Sequence, residues 1–206
     1  MLIVGLTGSI AMGKSVAAGL LRRRRLPVHD ADAAVHDLIG RGGAAVARVA
    51  AEFPGCVRDG AVDRQELGRR VFADTAALRR LEAILHPMAR AACVAFVAAA
   101  ARRRCRVVVL DIPLLFETGA ERRVDAVLVV SAPGWLQRRR ALGRPGMTAA
   151  KLDAILARQV PDREKRRRAD RVVTSSLGVA ATSRGLAAAL RDIAGRRARR
   201  WKPGWR

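Results

Sequence analysis

Tyrosine and asparagine are missing from this 206-residue chain, and only 3% of its residues are aromatic. A nucleic-acid surface built on stacked rings would have few rings to use. Without asparagine the guanine-recognition signature NKxD cannot be written, which argues against a GTPase built on it. Cysteine is scarce as well. Cys56, Cys93 and Cys105 are odd in number, far apart and not clustered with histidine, so neither a disulfide framework nor a zinc site is expected. A reduced, cytoplasmic setting fits that usage. Long apolar runs are also lacking: the longest, Ala91 to Ala101, is too short to span a bilayer. The short run Leu2 to Leu6 precedes its first cation, Lys14, which reverses the order of a secretory leader. These features point to a soluble protein with no membrane partner.

Half of the residues are hydrophobic, enough for a sizeable core in one domain or one domain with insertions. Lysine and arginine total 40 against 18 acidic residues, giving a net charge of +22. Lysine stands only at positions 14, 151, 165 and 202, so the excess is arginine. In a chain biased toward arginine and alanine, charge alone is not a functional signal. The runs Arg22–Arg25, Arg102–Arg104 and Arg166–Arg168 read mostly as solvated surface.

Leu2 to Leu6 reads as a buried parallel strand, followed by a helix through Val16, Leu20 and Leu21 that ends in the Arg22–Arg25 run. Pro27 to His29 reads as a second strand. From Ala33 to about Ala101 the pattern is helical, broken at Gly42-Gly43 and between Pro54 and Gly60. Val107 to Leu110 and Ala126 to Val130 are interior strands, and Arg171 to Val173 a short last one. Trp135 to Arg168 reads as two basic helices around a turn at Gly143–Met147, and Leu186 to Ile193 as a closing helix. The alternation predicts an α/β fold, a three-layer doubly wound parallel sheet. The tail from Arg196 reads as loosely docked, and Trp201 and Trp205 within it do not make a nucleic-acid module.

Gly8 to Ser15 reads GSIAMGKS and matches the phosphate-binding loop GxxxxGK[ST], with a strand before it and a helix after. Its backbone N–H groups must turn inward around a polyphosphate, so Gly8 and Gly13 stand where a side chain would obstruct the turn. Ser9, Ile10, Ala11, Met12 and Val16 complete the nucleotide-contacting stretch. Lys14 reaches the β- and γ-phosphates, and the Ser15 hydroxyl is a ligand for Mg²⁺. With the guanine signature missing, ATP is the better donor.

Asp30 and Asp32 follow the second strand at the carboxyl edge, where doubly wound sheets bind ligands. Phosphoryl transfer to an alcohol needs a carboxylate that accepts the hydroxyl proton, and Asp32 is the candidate, with Asp30 in support. The plainer alternative is that one of them caps the helix starting near Ala33. Asp111, at the end of VVVLD, would hold Mg²⁺ alongside Ser15, unless it is only a turn residue before Pro113.

These residues carry a resemblance. GLTGSIAMGKS, HDADAAVHDLI, VDRQELGRRVFAD, LEAILHP, DIPLLFETG, RPGMT and ILARQVPDREKRRRAD occur in this order, from about Leu2 to Ser176. Together they resemble the dephospho-coenzyme A kinase family. The resemblance implies a P-loop kinase with a nucleotide core, a helical coenzyme A region and a lid. The corresponding division here is 1–32, 105–136 and 169–206 for the core, 33–104 for the helical region and 137–168 for the lid. It implies transfer of the ATP γ-phosphate to the ribose 3′-hydroxyl of dephospho-coenzyme A, with Asp32 as base. Asp63, Arg64, Phe72, Glu82, His86 and Pro87 fall in its substrate-binding helical region, and Pro113, Leu114, Leu115 and Glu117 match its PLLFE block beside the acceptor pocket. His36 follows the DAD block at helical spacing and either contacts the substrate or stands on the helix surface. Arg140 and Arg144 match lid arginines. One turn apart on a predicted helix, they would converge on the transferring phosphoryl group. Gln159 matches a lid-helix glutamine, and His86 before Pro87 stands either at a helix end or at the substrate.

The loop departs from the family's usual GGIGSGKS at Ser9, Ala11 and Met12. A positive φ at position 11 would be strained for alanine. A monomer or weak homo-oligomer is expected, with ATP and dephospho-coenzyme A as small-molecule partners. Two alternatives stay open from the residues alone: a P-loop kinase acting on a nucleoside or nucleotide, and a basic RNA- or DNA-binding protein using ATP as a switch.

Overall fold

The computed structural model describes residues 1–72, 74–201 and 205; Ala73, Lys202, Pro203, Gly204 and Arg206 lie outside that set. Its contacts divide the chain into two units, one of residues 1–29 with 100–205 and one of residues 30–99.

The first unit is built on parallel strands. β1 (Leu2–Thr7), β5 (Val107–Asp111) and β6 (Ala126–Ser131) are almost wholly buried, which is why each reads as an unbroken apolar run. β2 (Val28–Asp30) and β7 (Arg171–Thr174) complete the order β2-β5-β1-β6-β7. Register decides what meets what. Leu6 lies opposite Asp111 and Thr7 opposite Val129, so the chain leaving β1 emerges beside Asp111 at the carboxyl edge. Helices α1 (Lys14–Arg23) and α9 (Gly178–Ala194) cover one face, where Leu21, Leu186 and Ile193 pack on Val4, Leu6, Leu128 and Val130. The closing helix starts well before Leu186. Thr182 Oγ1 donates to Gly178 O at 2.9 Å, and small residues around it leave no reason to stop.

The second unit carries α2 (Ala31–Ile39), α3 (Val46–Glu52), a hairpin of β3 (Val57–Arg58) and β4 (Ala61–Val62), α4 (Arg64–Phe72) and most of α5 (Thr75–Arg102). Ile39, Val49, Phe53, Cys56, Val62, Leu67 and Leu81 form its core. The helical reading missed the hairpin although Asp59-Gly60 signals it. Both residues take positive φ, 50° and 75°, as a tight two-residue turn requires. Nor does Pro87 mark a helix end, since α5 runs through it. Proline deletes one backbone bond there, and Ala83, whose carbonyl is freed, is exposed and can be hydrated. Among the described residues α5 is the one helix long and apolar enough to cross a membrane by composition, though the longest uninterrupted run inside it is short.

The basic stretch after β6 holds three helices where two were expected: α6 (Gly134–Leu142), α7 (Ala149–Ala157) and α8 (Asp162–Arg168). Pro161 separates the last two. All three belong to the first unit.

Candidate active site

The phosphate loop needs both of its glycines, for different reasons. A Cβ on Gly8 would stand 2.5 Å from Val130 O, a backbone atom of β6 that cannot step aside. Gly13 has φ +90°, and a Cβ there would also meet the Ser175 side chain at 2.9 Å. Gly8→Ala is therefore expected to push the loop off β6, lowering stability by about 1–3 kcal/mol. ATP affinity should fall at least about tenfold, because several N–H donors move together. Calorimetric titration with ATP and a denaturation midpoint check both effects.

Ala11 does adopt the strained conformation, with φ +60°. An alanine in that region costs about 1–2 kcal/mol relative to the right-handed one. Two contributions offset it. The Ala11 methyl is buried against Ala141 and Leu152, with Met147 and Leu156 alongside, which is worth about 0.8 kcal/mol. The carbonyl before it, Ile10 O, accepts from Gln137 Nε2 at 2.9 Å, a bond worth about 0.5–1.5 kcal/mol net. Ile10 N–H donates to Gln159 Oε1 at 3.1 Å. Met12 is tied twice more: its carbonyl accepts from Ser175 Oγ at 2.8 Å and its sulfur from Ala132 N–H at 3.1 Å.

Lys14 opens α1, and its Nζ lies 2.7 Å from Asp111 Oδ1. The pair follows from the β1–β5 register, which delivers the carboxylate beside the loop. Asp111 is almost fully buried and Lys14 largely so, so the two charges interact with little solvent screening. Asp111 is thus more than a turn residue. Ser15 is exposed in the first turn of α1. One carboxylate and one hydroxyl suit a cation that takes its other ligands from water and phosphate, as Mg²⁺ does. No cluster of three or more ligating side chains occurs among the described residues, so an all-protein metal cage is not built there. Near the same edge, Thr7 Oγ1 donates to Pro113 O at 3.0 Å, and Leu114 beside it is exposed.

Arg140, on α6, reaches back to the loop. Its Nη1 and Nη2 donate to Ser175 Oγ and Ser175 O, each at 2.8 Å, and Nη1 stands 3.8 Å from where a Gly13 Cβ would be. Arg144 does not share this helix face. α6 ends at Leu142, and Arg144 sits in the following turn, where its N–H donates to Ala141 O at 3.1 Å. Pro145 explains the stop, since its ring disfavours helical backbone at the residue before it. Gln159 likewise lies in the turn after α7 and not on a helix.

Sequence reasoning overlooked Lys165, which stands just before the run Arg166–Arg168. It is completely buried, with Nζ 2.8 Å from Glu117 Oε1. Val160 N–H donates to the same oxygen at 2.8 Å. Nearby, Ser131 Oγ donates to Asp162 Oδ2 at 2.7 Å, and Arg168 lies over the Phe116 ring at 4.4 Å. These contacts fasten α8 to the end of β6 and to the segment after β5. Burial by itself would raise the Glu117 pKa, but the Lys165 ammonium and backbone N–H groups outweigh it and hold the carboxyl below its ordinary 4.5. A depressed folded value stabilises the fold above the unfolded one and loses that contribution as pH falls through the folded one. Glu117→Gln leaves a buried ammonium without its carboxylate, so it should cost about 3–5 kcal/mol at pH 7. The gap to the parent protein should narrow below pH 4.5, read as denaturation midpoints across that range.

The expected residues from Asp30 to His86 stand in the second unit. Asp30 is the helix cap, its Oδ1 accepting from Ala33 N–H at 3.0 Å, and α2 begins at Ala31. Asp32 is exposed in the first turn of α2. His36, one turn further on, faces Arg64, with Nδ1 3.5 Å from Nη1. Asp63 caps α4, accepting from Gln65 and Glu66 N–H at 3.0 Å, and the Glu66 bond, with the Arg58 guanidinium and the Gln65 bond, holds its pKa below 3.8. Phe72, at 84% exposure, and His86 present their side chains to solvent.

Residues 2–180 match the protein-family model described as CoaE, dephospho-CoA kinase. The chain is 65% identical over 166 residues to the dephospho-CoA kinase of Paramagnetospirillum magneticum, covering 81% of this chain and 78% of that one. It is 54% identical to that of Rhodospirillum rubrum over 207 residues, covering 100% and 97%. Among solved structures, TT1252 from Thermus thermophilus superposes with a TM-score of 0.80 at 34% identity, covering 93% of this chain and 96% of that one.

Proposed function

This chain belongs to the dephospho-CoA kinase family, and from that premise we propose how its residues perform the last step of coenzyme A biosynthesis. ATP supplies the phosphoryl group, and the ribose 3′-hydroxyl of dephospho-coenzyme A accepts it. The Asp32 carboxylate takes the hydroxyl proton as the 3′-oxygen bonds to the γ-phosphorus, and the bond to the β–γ bridging oxygen breaks to release ADP. The loop from Gly8 to Ser15, with Val16 behind it, holds the triphosphate through main-chain N–H groups. Lys14 exchanges its bond to Asp111 for phosphate oxygens. Ser15 and Asp111 would hold Mg²⁺, which when bound neutralises charge on the β- and γ-phosphates. Arg140 stabilises the transferring group, and Arg144 adds a second cation near the nucleotide. His36, Arg64, Phe72, His86, Pro113 and Leu114 contact the acceptor. The enzyme is soluble and acts in the cytoplasm as a monomer or weak homo-oligomer, with no specific nucleic-acid partner.

The observation that carries this reading is the 2.7 Å bond between Lys14 and Asp111 at the mouth of a complete phosphate loop. A coupled assay for ADP release tests it, with dephospho-coenzyme A, adenosine and RNA supplied in turn. Turnover with the first alone is expected. Release driven by RNA would favour a nucleic-acid-dependent ATPase.

A further inference from the structure

We infer that Gln137 is a positioning residue, which holds one peptide group of the phosphate loop turned over so that a strained alanine can stand where the turn wants glycine. The inference rests on the reading of Gly8 to Ser15 as the ATP phosphate site.

Met12 N–H donates to Ser9 O at 3.1 Å, closing a four-residue turn with Ala11 at its third position. The positive φ of Ala11, with no positive φ at Ile10, makes this a type II turn, whose third position normally falls to glycine. A type II turn differs from the relaxed type I by inversion of its central peptide, here Ile10 C=O with Ala11 N–H. Type I would free Ala11 of strain, so the sequence by itself favours inversion. Gln137 opposes it. This side chain is buried on α6 and its Nε2 donates to Ile10 O, the atom that would swing away. Gln159 takes the preceding N–H of Ile10, so two consecutive peptide groups are gripped from outside the loop. Inversion would turn the Ile10 carbonyl away from α6 and take the Ala11 N–H from the side it now faces. A loop that binds polyanions through oriented N–H groups cannot tolerate that exchange.

Gln137 differs in a testable way from a residue that merely packs α6. With glycine at position 11 the type II turn carries no strain, so the loop no longer needs the restraint. The experiment measures ATP KM and kcat, with dephospho-coenzyme A saturating, for the parent protein, Gln137→Leu, Ala11→Gly and the double variant. Gln137→Leu in the parent background should raise the ATP KM about 3- to 10-fold with a smaller change in kcat. The same change in the Ala11→Gly background should raise it less than about twofold, so the two effects are not additive. An equal penalty in both backgrounds overturns the inference and leaves Gln137 a packing residue. Gln137→Met, similar in length and lacking the donor, supplies the same comparison if the leucine variant does not fold. Failure of the parent protein to bind ATP at all would instead bring down the phosphate-site reading on which this rests.

Discussion

Asp32→Asn is expected to lower kcat by about 10²- to 10⁴-fold, the range lost when a general base is removed. Asparagine keeps the size of the side chain and can still accept a hydrogen bond from the acceptor hydroxyl, but it cannot take the proton. The KM values for both substrates should therefore change little. Helix stability should also be spared, because Asp30, not Asp32, makes the bond that caps α2. This distinguishes the catalytic reading from the capping one, under which the variant would lose stability and keep its turnover. Single-turnover measurement of the phosphoryl-transfer step is the decisive form of the test. A rate within threefold of the parent would remove Asp32 from the chemistry.

Arg140→Ala should cost about 10³-fold or more in kcat, with ATP affinity nearly intact. The guanidinium is held as a two-pronged donor to Ser175, beside Gly13, so it is already oriented at the loop. In the transition state the charge of the transferring phosphoryl group is spread over its equatorial oxygens while charge develops on the leaving oxygen, and a cation placed for that arrangement acts on kcat more than on binding. Arg140→Lys should recover only part of the loss, since an ammonium cannot reproduce the planar fork. Unchanged turnover in the alanine variant would reject the role. Arg144→Ala should be much milder, because that residue lies past the end of the helix and in solvent.

What could be read from the chain followed the range of each signal. The phosphate loop is local in sequence, and unbroken apolar runs flag β1, β5 and β6, so the nucleotide end of the fold was within reach. The bond between Lys14 and Asp111 was not, because it follows from the β1–β5 register. The turn at Asp59-Gly60 was legible as a break in the helical pattern, but strands of two residues each are too short to show an alternation, so the hairpin was not read. The grips on the loop were not legible. Gln137, Gln159 and Ser175 touch Ile10 and Met12 from the far part of the chain, and no spacing rule joins them. Nor could Lys165 be separated from Arg166–Arg168 by composition, since burial of one cation in four depends on helix phase and on Glu117 waiting opposite. Ala11 lies between these cases. Its departure from the family's glycine was visible, whereas the left-handed backbone it accepts had to be seen.

The enclosure of Lys165 also makes that amine a clock. Acylating reagents attack the neutral, solvated amine, so the exposed Lys151 should label at once. Lys165 should wait until α8 lifts from its seat, and the delay between the two reports the free energy of that local opening.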